Sequence, residues 1–540
     1  MAGSETGGTG MRSAVPPRES ATALREGADR HLWTPIDASD RRAIVGLKSP
    51  KATRGAWQGD ILLDDADHER ARDDIASVAG VEVLAQSESL PAMLVRLASR
   101  DALAALRSRD RVDYIDAANV PGVWGSADPA ASGGNAQSVG CTGINRPWGG
   151  FVYGGPVDRL PGGDVLPLNY KYSHIEGAWL RGATGAGITV GVLDTGVFRS
   201  QLQLLTAEQI DCGRFNRGDS RHDRSVQHLY TYGTHPWDKC NHGTRMASNI
   251  AAPRDGQGLV GVAWNANLIS VKVGDDVVAD GIEQFSVGQG IALAADRGAK
   301  IIAMAFGAPG PTYASQFIAD QIAKYHARDV LFVGAAGTTV CYPGGLFPAK
   351  LPIVVAATGL GRLGFLHADA CGGPEVDVGA VIEYACASGR YLDAPITFGG
   401  SSAATALVAG VAALIWSTDP SMSRDAVVDR LYSSCSRYPR RHPQVGYGLI
   451  DAFKAVGGKS KEKEKDKEKD KDDDKLAAKE HDKFGPKEHD AVGAPPDLAG
   501  SELLQRLADV EQRLDVLEHG EQGDGRPFIR PEERPTVGGS

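Results

Sequence analysis

This sequence has no long apolar run and no excess of basic charge. Without about 18 consecutive apolar residues, no membrane-spanning helix is expected. Lysine and arginine total 58 against 68 aspartate and glutamate, a net charge of −10, so no basic face is expected to hold nucleic acid. The opening stretch, MAGSETGGTGMRSAVPPRES, is rich in Gly, Ser and Pro and lacks the apolar core of an export signal. Cysteine is scarce too: seven residues, at 141, 212, 240, 341, 371, 386 and 435, form no C-x-x-C pair and follow no zinc spacing. Without an export signal, a cytoplasmic protein with mostly reduced thiols is expected.

What is present is globular. The chain has 540 residues, 42% of them apolar, and 67 glycines, which suits two or three domains with a sizeable core and many tight turns. Residues 1–54 lack periodicity and read as a disordered leader. Residues 55–117 carry a small α/β pattern, with strands in VEVLAQ, PAMLVRLA and VDYIDAA and an amphipathic helix starting at Ser99. Gly and Pro crowd residues 118–167, a linker and irregular arm. Across 168–457, apolar strands such as GITVGVLD, NLISVKV, KIIAMAFG, DVLFVGAAG and PIVVAATG alternate with helices. Continuous apolar strands separated by helices predict a doubly wound α/β domain, its sheet mostly parallel and covered on both faces.

The remainder is different in kind. Residues 458–500 hold the mixed-charge tract KSKEKEKDKEKDKDDDK, which can bury nothing and reads as a linker. Residues 501–520 place Leu503, Leu507, Val510, Leu514 and Leu517 on one helical seam, between Ser501 as cap and Gly520 as stop. The seam predicts either a short oligomerising coiled coil through 501–519 or a helix docked on the globular part. Residues 521–540 read as a disordered tail.

In an open parallel sheet, chemistry sits outside the carboxyl ends of the strands. Three polar residues are expected there. Asp194 ends the strand GITVGVLD, and a carboxylate after so many apolar residues needs a donor to meet it. His242 opens a small-residue helix, with Gly243 behind it leaving the imidazole uncrowded. Ser401 and Ser402 precede the apolar run AATALVAG, where a serine can be a helix cap or a nucleophile. Singly each has an ordinary structural reading. Together they are an acid, a base and a nucleophile at the rim of one sheet, in the order Asp, His, Ser.

On these residues the chain resembles the subtilisin-like serine peptidases. VGVLDTGV resembles the family's Asp motif, NHGTRMAS its His motif and GGSSAATALVAGVAAL its Ser motif; VGYGLIDAFKAV resembles its closing strand and helix. Matching Val408–Ala409–Gly410 puts Ser402 on the nucleophile and Ser401 on the residue before it. The resemblance implies a subtilisin-like fold and endopeptidase activity through Asp194, His242 and Ser402 on a peptide or protein substrate, with no organic cofactor. MLVRLASRDALAALRSRDRVDYIDAA resembles the end of the subtilisin propeptide, which implies a chain inhibited by its own N-terminal module and cut somewhere between Ala117 and Lys171. Subtilases often bind structural calcium, but no Asp-rich loop here matches a calcium pattern.

Several positions depart from the family. Ala406 replaces a proline, a change a helix tolerates. Thr338 stands where the family places an oxyanion-hole Asn, beside the backbone N–H of Ser402. Ala305, Phe306 and Gly307 replace the usual Ser-Leu-Gly substrate edge, and Ala335, Ala336 and Gly337 form a wall of the main specificity pocket. Such small walls predict room for a large apolar side chain. Before the His motif, His222, Asp223, His228, His235 and Cys240 follow no metal spacing and read as a solvated insertion loop. Thr338 keeps one rival alive, a lapsed peptidase acting as a peptide-binding scaffold. A peptide-maturation protease or macrocyclase is the other.

Overall fold

The computed structural model describes residues 28–38, 40–48, 65–119, 157–198, 225–256, 258–275, 283–309, 315–338, 341, 345–388 and 395–458. The chain divides into two compact units, Met1–Ser460 and Lys461–Ser540. The second, with the predicted coiled coil, lies outside the described residues, as do Cys141, Cys212, His222 and Asp223.

The N-terminal module is a four-stranded antiparallel sheet in the order β2–β3–β1–β4, formed by β1 (Arg42–Leu47), β2 (Val81–Gln86), β3 (Ala92–Leu97) and β4 (Val112–Ala117). Helices α1 (Ala28–Ala38), α2 (Asp65–Ala76) and α3 (Arg100–Arg107) accompany it, and Ser99 caps α3 by accepting from the Ala102 N–H. Here the sequence reading needs correction. Residues 28–48, read as part of a disordered leader, supply a helix and the strand that is paired on both sides. Because β1 is interior to the sheet, its Ala43–Leu47 side chains are all buried and show no alternation to announce a strand.

The main sheet has seven strands: β5 (Thr189–Asp194), β6 (Val226–Tyr230), β7 (Asn267–Lys272), β8 (Ile301–Met304), β9 (Leu331–Ala335), β10 (Val354–Leu360) and β11 (Val378–Val381). Their order is β11–β10–β9–β8–β5–β7–β6, and every pairing is parallel. The strands alternate between two cores. Val190, Val192, Ile301, Ala303, Leu331 and Val333 face α4 (His242–Ala251) and α7 (Gly400–Thr418). Leu193, Ile302, Met304 and Phe332 face α5 (Gln284–Asp296) and α6 (Gln316–His326). Both faces are covered, as a doubly wound fold requires. By length and apolarity α7 could cross a membrane, but 89% of it is buried in the protein, where it acts as the central core helix. From β5 the chain winds first toward β6 and β7, then back to β8, so the winding reverses beside β5.

Two further expectations change. The segment read as a solvated loop contains β6, which pairs with β7 and forms the edge of the sheet. Three of the cysteines read as thiols are bonded. Cys341 and Cys371 form a disulfide, their Cα atoms 5.2 Å apart, because the chain after β9 folds against the chain after β10; Cys240 is disulfide-bonded as well. A separation of 30 residues carries no sequence signal of that pairing. Cys386 and Cys435 stay free, and burial pushes both thiols up to about 12.

The module docks on α5 and α6. Asp116 accepts from Ser315 Oγ (2.9 Å) and the Phe317 N–H (3.1 Å), at the start of α6. Lys324 Nζ donates to Ser89 O (2.7 Å), and Arg42 pairs with Glu283 (2.5 Å). Ile44, Leu90 and Leu94 pack with Phe285 and Phe317, whose rings stack 5.3 Å apart. Where β4 ends, the Gln284 N–H donates to Ala118 O (2.8 Å) and Asn119 bridges to Glu283.

Candidate active site

Asp194 closes β5 beside the reversal of winding, and it is buried. Its Oδ1 accepts the Thr195 N–H at 2.8 Å, and its two oxygens lie 2.9 and 3.0 Å from His242 Nδ1. A buried carboxylate is tolerable only with such donors. On the other side of the ring, His242 Nε2 lies 3.0 Å from Ser402 Oγ. The imidazole is buried too, with the Phe398 ring edge-on at 6.2 Å. The three residues expected from the motifs therefore form one continuous row of hydrogen bonds.

The loops holding that row touch backbone to backbone. A Cβ on Gly243 would lie 2.2 Å from Gly196 O, so only glycine permits the His and Asp loops to approach this closely. Asp238 binds the same loops together. Its Oδ1 accepts from Thr195 Oγ1 (2.8 Å), the Cys240 N–H (2.8 Å) and the Asn241 N–H (2.9 Å); its Oδ2 accepts from the Thr244 N–H (3.0 Å) and Thr244 Oγ1 (2.6 Å). It thereby caps α4, whose own cap residue Asn241 turns at φ 74° without a side-chain bond. Burial pushes the neighbouring Arg245 guanidinium down to about 10, opposed by the Asp238 charge. Sequence reasoning missed Asp238. The signal was available: an Asp that bonds the N–H two residues on is a turn former, here four residues before the histidine.

Ser402 lies in the first turn of α7, after Gly399 as cap and Gly400 at φ 65°. A Cβ on Gly400 would lie 2.4 Å from Thr338 Oγ1, so this close approach also needs glycine. The neighbouring serines are placed for different work. Ser402 faces His242 and lies 3.4 Å from Ala305 O, whereas Ser401 points the other way and is buried. Ser401 Oγ accepts the Gly337 N–H (3.1 Å), and Thr338 Oγ1 accepts the Ser401 N–H (3.0 Å). The two hydroxyls lie 3.0 Å apart. Either hydroxyl can supply the proton between them; with Ser401 as the donor, the Thr338 proton is left to donate toward the exposed side. Thr338, expected as a donor, is held against the start of α7 by Ser401.

The two expected substrate segments flank Ser402. Ala305, Phe306 and Gly307 run on from the end of β8, with Ala305 and Phe306 buried. Ala335 ends β9, and the Ala336 N–H donates to Ala357 O (3.0 Å), so this wall is fixed to β10. His228, on β6, packs against Trp237 with ring centroids 5.6 Å apart. Among the described residues no group of three His, Cys, Asp or Glu could hold a metal ion.

Comparisons with known proteins bear on the same span. The model of the subtilase family matches residues 185–360 and 370–449. A thermostable alkaline protease of Halalkalibacterium halodurans is 30% identical over 295 residues, 54% of this chain and 74% of its own length. Subtilisin E of Bacillus subtilis is 30% identical over 293 residues, 53% of this chain and 71% of its own. Among solved structures, a protease of Pseudoalteromonas arctica aligns with a TM-score of 0.42 at 23% identity, covering 53% of this chain and 93% of that one. Asp194, His242 and Ser402 all fall inside the matched residues, and over that span the chain belongs to the subtilase family.

Proposed function

We propose that Ser402, His242 and Asp194 are the nucleophile, base and orienting acid of a serine endopeptidase. Membership of the subtilase family makes the chain a subtilisin-like serine peptidase; the proposal assigns its roles residue by residue. The observation that carries it is the row Asp194–Nδ1–His242–Nε2–Ser402, with bonds of 2.9 and 3.0 Å. His242 takes the Ser402 proton as Oγ attacks the scissile carbonyl, then gives it to the leaving amine. Asp194 holds the Nδ1–H tautomer and stabilises the imidazolium. The oxyanion is met by the Ser402 N–H, the positive end of α7 and the Thr338 hydroxyl. Water then hydrolyses the acyl-enzyme. The reaction needs no organic cofactor.

The docked N-terminal module is proposed as an inhibitor in cis, supported by its anchorage to α5 and α6 and by the fastening of Ala118 and Asn119 at Gln284 and Glu283. The bonded Cys341, Cys371 and Cys240 favour work in an oxidising compartment over the reducing one expected from the leader.

The test is labelling with a fluorophosphonate probe. The parent and Ser401→Ala chains are expected to take the label and the Ser402→Ala chain to refuse it. A parent that refuses it, even with the module removed, would turn the reading toward a peptide-binding scaffold.

A further inference from the structure

The slot beside Ser402 is filled from within. Segments 305–307 and 335–337 continue from the neighbouring strands β8 and β9, which pair in parallel up to Met304 and Gly334. Beyond the sheet they pass on either side of the nucleophile, one through Ala305 O at 3.4 Å from Ser402 Oγ, the other through the Gly337 N–H on Ser401. Each segment ends in glycine, at Gly307 and Gly337. Two bare glycines facing a gap normally leave space for a ligand side chain.

Here the gap already has an occupant. A Cβ on Gly307 would lie 2.9 Å from Leu346 Cβ and 3.1 Å from Leu346 Cδ1. A Cβ on Gly337 would lie 3.3 Å from the same Cδ1. One methyl of Leu346 therefore reaches both glycine faces. The backbone that carries this half-buried side chain is held in place. Leu346 begins a two-residue strand paired with Ala308–Pro309, and the next residue, Phe347, is buried in the core under α5 and α6. Behind the Gly337 wall stands Cys371, its Sγ 3.0 Å from the same hypothetical Cβ and bridged to Cys341.

We propose that Leu346 is the floor of the primary specificity pocket and that it makes the pocket shallow, so the enzyme selects Gly, Ala or Ser at P1, the residue supplying the scissile carbonyl. This rests on the peptidase reading above and reverses the expectation that small walls leave room for a large side chain. Ala and Gly line the sides, but the depth is taken by four carbons of leucine. A Phe or Tyr at P1 would have to displace the half-buried Leu346 side chain, and one surplus methylene in such a pocket already costs about 10- to 200-fold in discrimination.

The test uses the full chain, allowed to process itself, with tetrapeptide anilides that differ only in Ala, Leu or Phe at P1. The parent is expected to show kcat/KM at least about tenfold higher for Ala than for Phe. Leu346→Gly is expected to raise the Phe/Ala ratio by about 10- to 100-fold, mainly by improving Phe; Leu346→Val, which removes one carbon, should move it in the same direction by less. A parent that prefers Phe, or a Leu346→Gly chain with an unchanged ratio, overturns the inference. The parent profile needs no variant, so misfolding of a substituted chain leaves that arm intact. A parent that takes the fluorophosphonate label but prefers Phe leaves the peptidase reading standing and removes only Leu346. One that neither labels nor cleaves takes both away.

Discussion

Asp194 ends β5 and His242 opens α4, and the turns beside them are locked by glycine contacts and by the Asp238 carboxylate, which accepts five hydrogen bonds. Ser402 and Thr338 are joined through a single buried hydroxyl, that of Ser401, and one backbone N–H. The half of the site that holds Asp194 and His242 is fixed several times over. The half that holds Ser402 and Thr338 is fixed by few bonds, and it is where the motifs lead one to expect departures from the family, at Thr338 and in the Ala305–Gly307 edge. The contrast follows from the chemistry. Proton transfer needs one geometry to within a few tenths of an ångström, whereas a donor to an oxyanion can be supplied by an amide, a hydroxyl or a backbone N–H.

The largest effect is expected on the heavily fixed side. Asp194→Asn keeps the shape but presents the wrong donor to Nδ1, so kcat should fall by about 10⁴-fold with KM little changed. Steady-state kinetics on a P1-Ala anilide would show it; a loss below tenfold would mean that the Asp–His pair is structural. On the lightly fixed side, Thr338→Val keeps the volume and removes the hydroxyl. Here kcat should fall by about 10²- to 10³-fold, and Thr338→Ser should restore much of it. If valine costs nothing, the Ser402 N–H suffices as donor and the Thr338–Ser401 pair only holds the loop.

The same contrast explains what could be read from the sequence. The sheet was legible because its strands are unbroken Val, Ile and Ala runs buried on both faces, such as Ile301–Met304. Asp194, His242 and Ser402 were legible only together: each alone has an ordinary structural reading, and their order at strand and helix junctions, with three motifs resembling one family, singled them out and chose Ser402 over Ser401. Contacts that depend on distant parts of the chain were not legible. Leu346 lies 39 positions from Gly307, and nothing about a leucine before Phe-Pro announces its approach to Gly307 and Gly337. The Cys341–Cys371 bridge and the interior position of β1 were hidden for the same reason: partner identity is set by topology, not by local pattern.

A smaller effect extends the comparison to the docked module, where a second carboxylate is buried with fewer donors. Asp238 accepts five hydrogen bonds; Asp116 accepts the Ser315 hydroxyl and the Phe317 N–H. Burial outweighs those bonds and pushes the Asp116 carboxyl up from 3.8 to about 6. An acid raised in the docked state binds its proton more tightly there than when solvated. Its contribution to docking is therefore fully present below pH ~4 and is lost as pH rises through about 6. A rise of about two units corresponds to at most about 100-fold in the docking equilibrium. In the Ser402→Ala chain, where the module stays attached, hydrogen exchange at the Phe317 amide reads module opening, once corrected for the intrinsic pH dependence of exchange. Protection should fall by up to that factor between pH 4 and 7, and Asp116→Asn should make it flat over the same range. On that outcome the carboxylate with few donors weakens docking as pH rises, while the one with five ties together the turns beside Asp194 and His242. Unchanged pH dependence in the Asn chain would locate the linkage outside Asp116.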